Sequence, residues 1–350
     1  PAELLDALRS GRARADLDPE LVDDDGYPLL SLRAEDALAD AEAAYKGEIA
    51  AWLAAGGMPD PQWNPEQWRA LLLASPVAAE LALHAAAHPQ AALPDSGAGA
   101  PMLQVRAALA GDWSEQQRAA AAGWLAHIAA QAGWPAGRIH AVAAQHSSAA
   151  VLAGLAGQGA AGETILAIVL ACASRIGEDS VEALARQGAL FGAARPQGRM
   201  PGEGAAGVLL ADAAQAALFG TRGAMLQTTL APYQDAAGKP DAGPLSRAAA
   251  PLLADGATQA GALFADTGHR TARVIELMEF ARAATPELDA GTEVLGAGRA
   301  CGDCGDVPFL AALALAHHHA TEAGDAALCV SNEDPLQRVA ALIRPAALHS

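Results

Sequence analysis

From residue 164 to 174 the chain reads Thr-Ile-Leu-Ala-Ile-Val-Leu-Ala-Cys-Ala-Ser, an apolar run of strand length without a charge. Such a run, bounded by polar residues, predicts a buried β-strand. Further short apolar runs at 138–144, 204–211, 261–266, 326–331 and 340–343 predict more strands. Helical patterns fall between them at 149–156, 179–187, 271–284 and 307–323. Strands alternating with helices argue for an α/β fold with a mostly parallel sheet.

The front of the chain reads as helix with loops. Residues 1–10 form a short amphipathic segment, and 16–28 an acidic loop. Across 34–56, Leu38, Ala41, Tyr45, Ile49, Trp52 and Leu53 recur on one side at helical spacing, until Gly56, Gly57 and Pro59 end the pattern. Asn64 is placed to cap a helix with Pro65 at its first position that runs toward Ala87. A Pro/Gly/Ser/Ala stretch at 90–101 marks a boundary, giving a helix-rich N-terminal region, 1–94, and a second region, 102–350. Ser114 caps a further helix to residue 132, with Trp124, Leu125 and Ile128 inward. A Gly/Pro/Asp-rich break covers 233–244.

Composition narrows the function. Against 22 basic residues stand 40 acidic ones, a formal charge of −18. That field repels nucleic acid and anionic membrane, so neither is an expected partner. No stretch reads as an unbroken apolar membrane span. Four cysteines are too few for a disulfide scaffold in 350 residues, so a reducing, cytoplasmic setting is the default. Position 1 is proline rather than methionine, so the expectation is a fragment or processed form, and an upstream anchor would be invisible here.

Two strings carry a resemblance. Ile168-Val-Leu-Ala-Cys-Ala-Ser174, a short helix, and Gly198-Arg-Met-Pro-Gly-Glu-Gly-Ala-Ala-Gly-Val-Leu-Leu-Ala-Asp212 resemble β-ketoacyl synthases of the thiolase-fold superfamily. There a strand, a helix and a Gly-Glu-Gly-Ala turn lead into the next core strand. Gly202 and Gly204 permit close backbone approach, and Glu203 can accept backbone hydrogen bonds at the turn. Later, Ala262-Leu-Phe-Ala-Asp-Thr-Gly-His-Arg-Thr271 sits where that family carries Asn-Ala-His-Gly-Thr-Gly-Thr. Leu295 to Val307 sits where it carries a glycine-rich loop opening a long helix. The resemblance is clearest over 165–345 and implies an α/β, layered α-β-α-β-α body with a helix-rich N-terminal portion. Nothing before Arg138 aligns.

The departures bear on function. At the first catalytic histidine of the family stands Thr267, with His269 two residues on, and at the second stands Arg299. Where the nucleophilic cysteine belongs the chain reads Ala144-Gln-His146-Ser-Ser-Ala. Condensation needs a thiolate and two imidazoles. A vestigial site of His146, Thr267, His269 and Arg299 is therefore expected, in a shallow or filled pocket, with no catalytic residue, metal or cofactor.

Other candidates are weaker. Cys301 and Cys304 form a lone C-x-x-C, a redox or zinc half-site with nothing to complete it. Adjacent His317, His318 and His319 point about 100° apart on a helix and cannot easily converge on one metal. Cys172 and Cys329 read as small core hydrophobes. Ser147 and Ser148 lack a Gly-x-Ser-x-Gly elbow. All six tryptophans precede residue 135; Trp63 and Trp68, beside Pro59-Asp-Pro61, are candidate partner contacts, with the acidic run Asp23-Asp24-Asp25 steering association. The layout of helical front and thiolase-like back also resembles the type VI secretion lipase-adaptor family. It implies a non-catalytic adaptor or chaperone that binds a protein partner such as a secreted phospholipase effector, with homodimerisation a further possibility of the fold. The alternative is an acyl-thioester enzyme whose nucleophile has relocated to Cys301 or Cys304.

Overall fold

The computed structural model describes all residues except 24–25, 58–59, 93–99, 110–111, 145, 221–222, 234–240, 255–258 and 347–350. The chain opens with helix α1 (Ala2–Arg9), a pair of strands β1 (Asp16–Val22) and β2 (Pro28–Ser31), and helices α2 (Glu35–Ala55) and α3 (Pro65–Ala86). Next come β3 (Leu103–Ala108), α4 (Glu115–Gln131), β4 (Ile139–Ala144), α5 (Ser148–Ala160), β5 (Leu166–Ser174), α6 (Glu178–Arg186), β6 (Glu203–Ala211) and α7 (Ala213–Leu218). The last part holds β7 (Ala224–Pro232), α8 (Gly243–Leu253), β8 (Ala260–Ala265), α9 (Thr271–Ala284), β9 (Val294–Gly296) and α10 (Gly298–Cys301). It ends with α11 (Val307–Glu322), β10 (Ala326–Ser331) and β11 (Gln337–Pro345).

Two mixed sheets dominate, ordered β4-β3-β5-β6 and β7-β11-β10-β8-β9. They repeat one arrangement. In the first, β3 runs parallel to β4 and β5, and β6 is antiparallel to β5. In the second, β8 runs parallel to β9 and β10, and β11 is antiparallel to β10. Ile168 and Leu328 occupy corresponding inner strands, as the expected pair of half-motifs requires.

All nine residues of β5 are buried, because both of its faces are covered. Leu166, Ile168, Leu170 and Cys172 point to a core shared with α2, α3 and α4. Ala167, Val169, Ala171 and Ala173 point the other way, to α5 and α11. The far side of those two helices meets Phe264, Ala327, Cys329 and Ala341 of the second sheet. That sheet's outer face, with Leu263, Leu328 and Leu342, is closed by α8 and α9. The result is the layered α-β-α-β-α body.

Several elements depart from the sequence reading. The core starts well before Arg138: β3, unrecognised in the sequence, is the inner strand joining β4 to β5. It reads Leu-Gln-Val-Arg-Ala-Ala, and its two polar side chains hide a strand that is mostly buried. The acidic loop at 16–28 contains β1, which the buried Asp18–Arg33 pair ties to the end of β2. The break at 233–244 is flanked by β7 and α8, while residues 234–240 lie outside the described set, as do residues 93–99 of the expected boundary. Across that boundary α3 and β5 share one core. Helix α3 has the length and mean apolarity of a membrane span, but Glu66, Arg69 and Glu80 interrupt it and half of that window is buried in the protein.

The caps form as the sequence requires. Asn64 accepts from the Gln67 N–H and Ser114 from the Gln117 N–H, and each glutamine returns a bond to the cap backbone, closing two capping boxes.

Candidate functional site

In parallel sheets the carboxyl ends of the strands and the amino ends of the following helices gather on one side. Here that side brings together the start of α5, the loop after β8, the segment 298–306 and the loop after β10. They enclose a cavity of about 190 Å³, whose wall includes Ser147, His269, Asp303, Asp306, Glu333 and Gln337.

The loops after β8 and β10 are clamped to each other. Asp266, at the end of β8, accepts from the Ser331 hydroxyl, from the Asn332 N–H at 2.9 Å and from the Glu333 N–H at 3.3 Å. Thr267 Oγ1 donates to Asn332 Oδ1 at 2.7 Å, and Asn332 Nδ2 donates to the Arg273 carbonyl at 2.9 Å. Glu333 accepts from the Gly268 N–H at 3.0 Å and pairs with Arg270. Burial, reinforced by the Glu333 charge, pushes the Asp266 carboxyl up to about 7 despite its hydrogen bonds.

The amino ends of the two central helices are joined in the same way. Asp306, just before α11, accepts the Ser148 N–H at the start of α5. Burial raises its carboxyl, and the Asp334 charge adds to this. Ser147 caps α5 by accepting the Ala150 N–H at 3.3 Å, and it also accepts from Gln337 Nε2 at 2.9 Å. An amide donor in that place cannot take a proton from the hydroxyl.

The expected vestigial residues do not converge. Of the four, His269 alone faces the cavity. Its Nε2 lies 2.9 Å from the Gly198 carbonyl, and its ring stands edge-on to Phe191 at 5.0 Å. Burial lowers its basicity; the neutral ring donates through Nε2, because a carbonyl only accepts. Thr267 is buried in the clamp, while His146 and Arg299 are exposed. All four cysteines are buried.

The fold-defining turn has a wider role than foreseen. A Cβ on Gly202 would lie 2.0 Å from the Cys301 carbonyl oxygen, so only glycine lets the turn pass the cavity loop. Glu203 is buried and reaches beyond its own turn. It accepts from Arg69 Nε and Nη2 at 2.8 and 2.7 Å, from Ser174 Oγ at 3.1 Å and from the Ala34 N–H at 3.0 Å. It thus ties α2 and α3 to the first sheet.

Trp63 is not a surface anchor. It is buried, donates from Nε1 to the Gln117 carbonyl at 3.4 Å and meets half-buried Trp68 edge-on at 5.1 Å. Residues 24 and 25 of the acidic run lie outside the described set.

No protein-family model matches the sequence, and no curated protein is significantly similar to it. Solved structures do match. One is the ishigamide ketosynthase/chain length factor, with a TM-score of 0.55 at 15% identity over 99% of this chain and 95% of the other. The oxazolomycin ketosynthase domain of Streptomyces albus JA3453 gives 0.57 at 14% identity over 81% and 61%. The Ascaris suum Acat5 thiolase, solved with coenzyme A, gives 0.50 at 12% over 78% and 95%. This chain has the thiolase fold. The match to the first of these spans nearly the whole molecule, so this thiolase-like body includes the helical front that the sequence reading left unaligned.

Asp266, Asp303, Asp306, Glu333 and Gln337 escaped the sequence reading. The visible signal was the polar triplet Asn332-Glu333-Asp334 directly after an apolar strand. Only pairing β10 beside β8 shows what the triplet holds.

Proposed function

We propose that this chain is a non-catalytic thiolase-fold protein that works by binding a protein partner, as an adaptor or chaperone. The clamp carries the reading. Thr267, where the resemblance puts a catalytic histidine, gives its hydroxyl to Asn332, and Asp266 and Glu333 spend their polar atoms holding two loops together. Side chains so engaged stiffen the cavity wall and are not free to activate a thioester. The proposed partner class, a secreted phospholipase effector, rests on the resemblance of the sequence layout to the type VI secretion lipase adaptors.

The thiolase fold is equally compatible with an acyl-thioester enzyme using Cys301 or Cys304. Burial weighs against that: Cys304 is fully enclosed, and its thiol is held well above the ordinary range, which disfavours the thiolate. A thiol-reactive acyl-CoA or a cerulenin-type probe separates the two readings. The expected result is no labelled cysteine in the folded protein; a stoichiometric adduct on Cys301 or Cys304 overturns the proposal. Pull-down from the source cell with mass spectrometry should then recover a phospholipase.

A further inference from the structure

A second cavity, of about 450 Å³, lies at the carboxyl end of β5 and shares Arg175 and Arg199 with the first. Trp113, Ala173 and Leu184 are buried parts of its wall, and Asp112 and Asp179 are exposed at it. Glu66 lines it too, but is already engaged. It accepts the Gly177 N–H at 2.7 Å and the Ser180 hydroxyl at 2.6 Å, which fastens the start of α6 to α3. Asp266, Thr267 and Glu333 of the clamp do not border this space.

Both guanidinium groups reach one oxygen, Asp303 Oδ2, through Nη1, Arg175 at 3.0 Å and Arg199 at 3.4 Å. Among the described residues Asp303 is the only acid with which either one pairs. Two positive charges therefore share one negative charge, and the Nε and Nη2 donors of each remain for a ligand. The backbone holds the pair in place. Arg175 N–H donates to the Gly202 carbonyl at 3.0 Å, and Asp303 N–H to the Met200 carbonyl at 2.8 Å. Planar donors preset in this way suit a carboxylate.

We propose that this second cavity binds a small monocarboxylate with an apolar body. The carboxylate takes up the surplus charge of Arg175 and Arg199, and the body lies against Trp113, Ala173 and Leu184. The volume falls within the range usual for small-molecule sites, about 300–1,000 Å³. Asp112 and Asp179 carry negative charge at the same space and disfavour a polyanion such as a nucleotide. The clamp takes no part, so the inference stands or falls separately from the protein-binding role.

The test titrates the intact protein calorimetrically with phenylpropionate and, separately, with phenylpropanol, which has the same body without the charge. The acid should bind at one site. The alcohol should bind about tenfold more weakly or worse, because it lacks the charge-assisted bonds. Arg199→Gln should weaken the acid by a similar factor. Ala183→Trp places a bulky ring in the second cavity alone, since Ala183 does not line the first, and should abolish binding. No saturable binding at millimolar acid, equal binding of acid and alcohol, unchanged affinity in Arg199→Gln, or acid binding that survives Ala183→Trp each overturns the proposal. The two ligands compared on the wild type decide the matter even where a variant folds poorly.

Discussion

Glu333 bonds to Asp266 through its backbone while repelling it through its side chain. Its N–H donates to Asp266 Oδ1 at 3.3 Å, and its carboxylate charge helps raise the Asp266 carboxyl to about 7. The two residues come from loops after neighbouring parallel strands, β8 and β10. That pairing makes the clamp sensitive to protonation.

Asp266 should make stability fall as pH rises. Its folded-state value lies above the ordinary unfolded value near 3.9, so the folded protein holds the proton more tightly. The favourable contribution is full below about pH 4 and is lost by about pH 7, worth up to about 4 kcal/mol. Asp266→Asn removes the charge while keeping an acceptor for the Asn332 N–H. Urea unfolding at pH 5 and pH 8 should show a smaller loss for the variant than for the wild type. Equal losses contradict the assignment.

Glu203 should be costly to remove alone. Glu203→Ala leaves the Arg69 guanidinium and the Ala34 N–H without their acceptor, at a cost of about 3 kcal/mol. Replacing both partners by apolar residues, as in Arg69→Met with Glu203→Leu, should recover much of that loss. Denaturant midpoints of the single and double variants measure the coupling.

Trp63 should matter to folding. Its ring is buried against Trp68 and the α4 backbone, so Trp63→Ala should cost about 3–5 kcal/mol. A variant with unchanged unfolding free energy returns Trp63 to the surface and reopens its role as a partner contact.

Ile168 and Leu328 should be comparably sensitive, since each lies on an inner strand covered on both faces. Alanine at either should cost about 2–5 kcal/mol. A single cooperative transition in both variants, followed by circular dichroism and tryptophan fluorescence, is expected if the two sheets fold as one body.

The elements that declared themselves in the sequence were those whose signal is local. Asn64 with Pro65 and Ser114 with Gln117 start helices through bonds made within four residues, and the run through Ile168 is apolar because its strand is covered on both faces. The thiolase-like order of the second half was legible for the same reason, as turns and strand lengths recur at fixed spacing. Strand β3 was not, because Gln104 and Arg106 interrupt its pattern and only its place between β4 and β5 explains them. The site lies further still from local rules. Asp266 and Ser331 are 65 residues apart, and nothing near either one in sequence says that they meet. Parallel pairing of β8 with β10 sets them side by side, and burial there raises the carboxyl. The same pairing turns Thr267 toward Asn332 and leaves His269 at the cavity. Sequence fixes which groups are present, but their distances and exposure, and hence their chemistry, depend on which strands become neighbours.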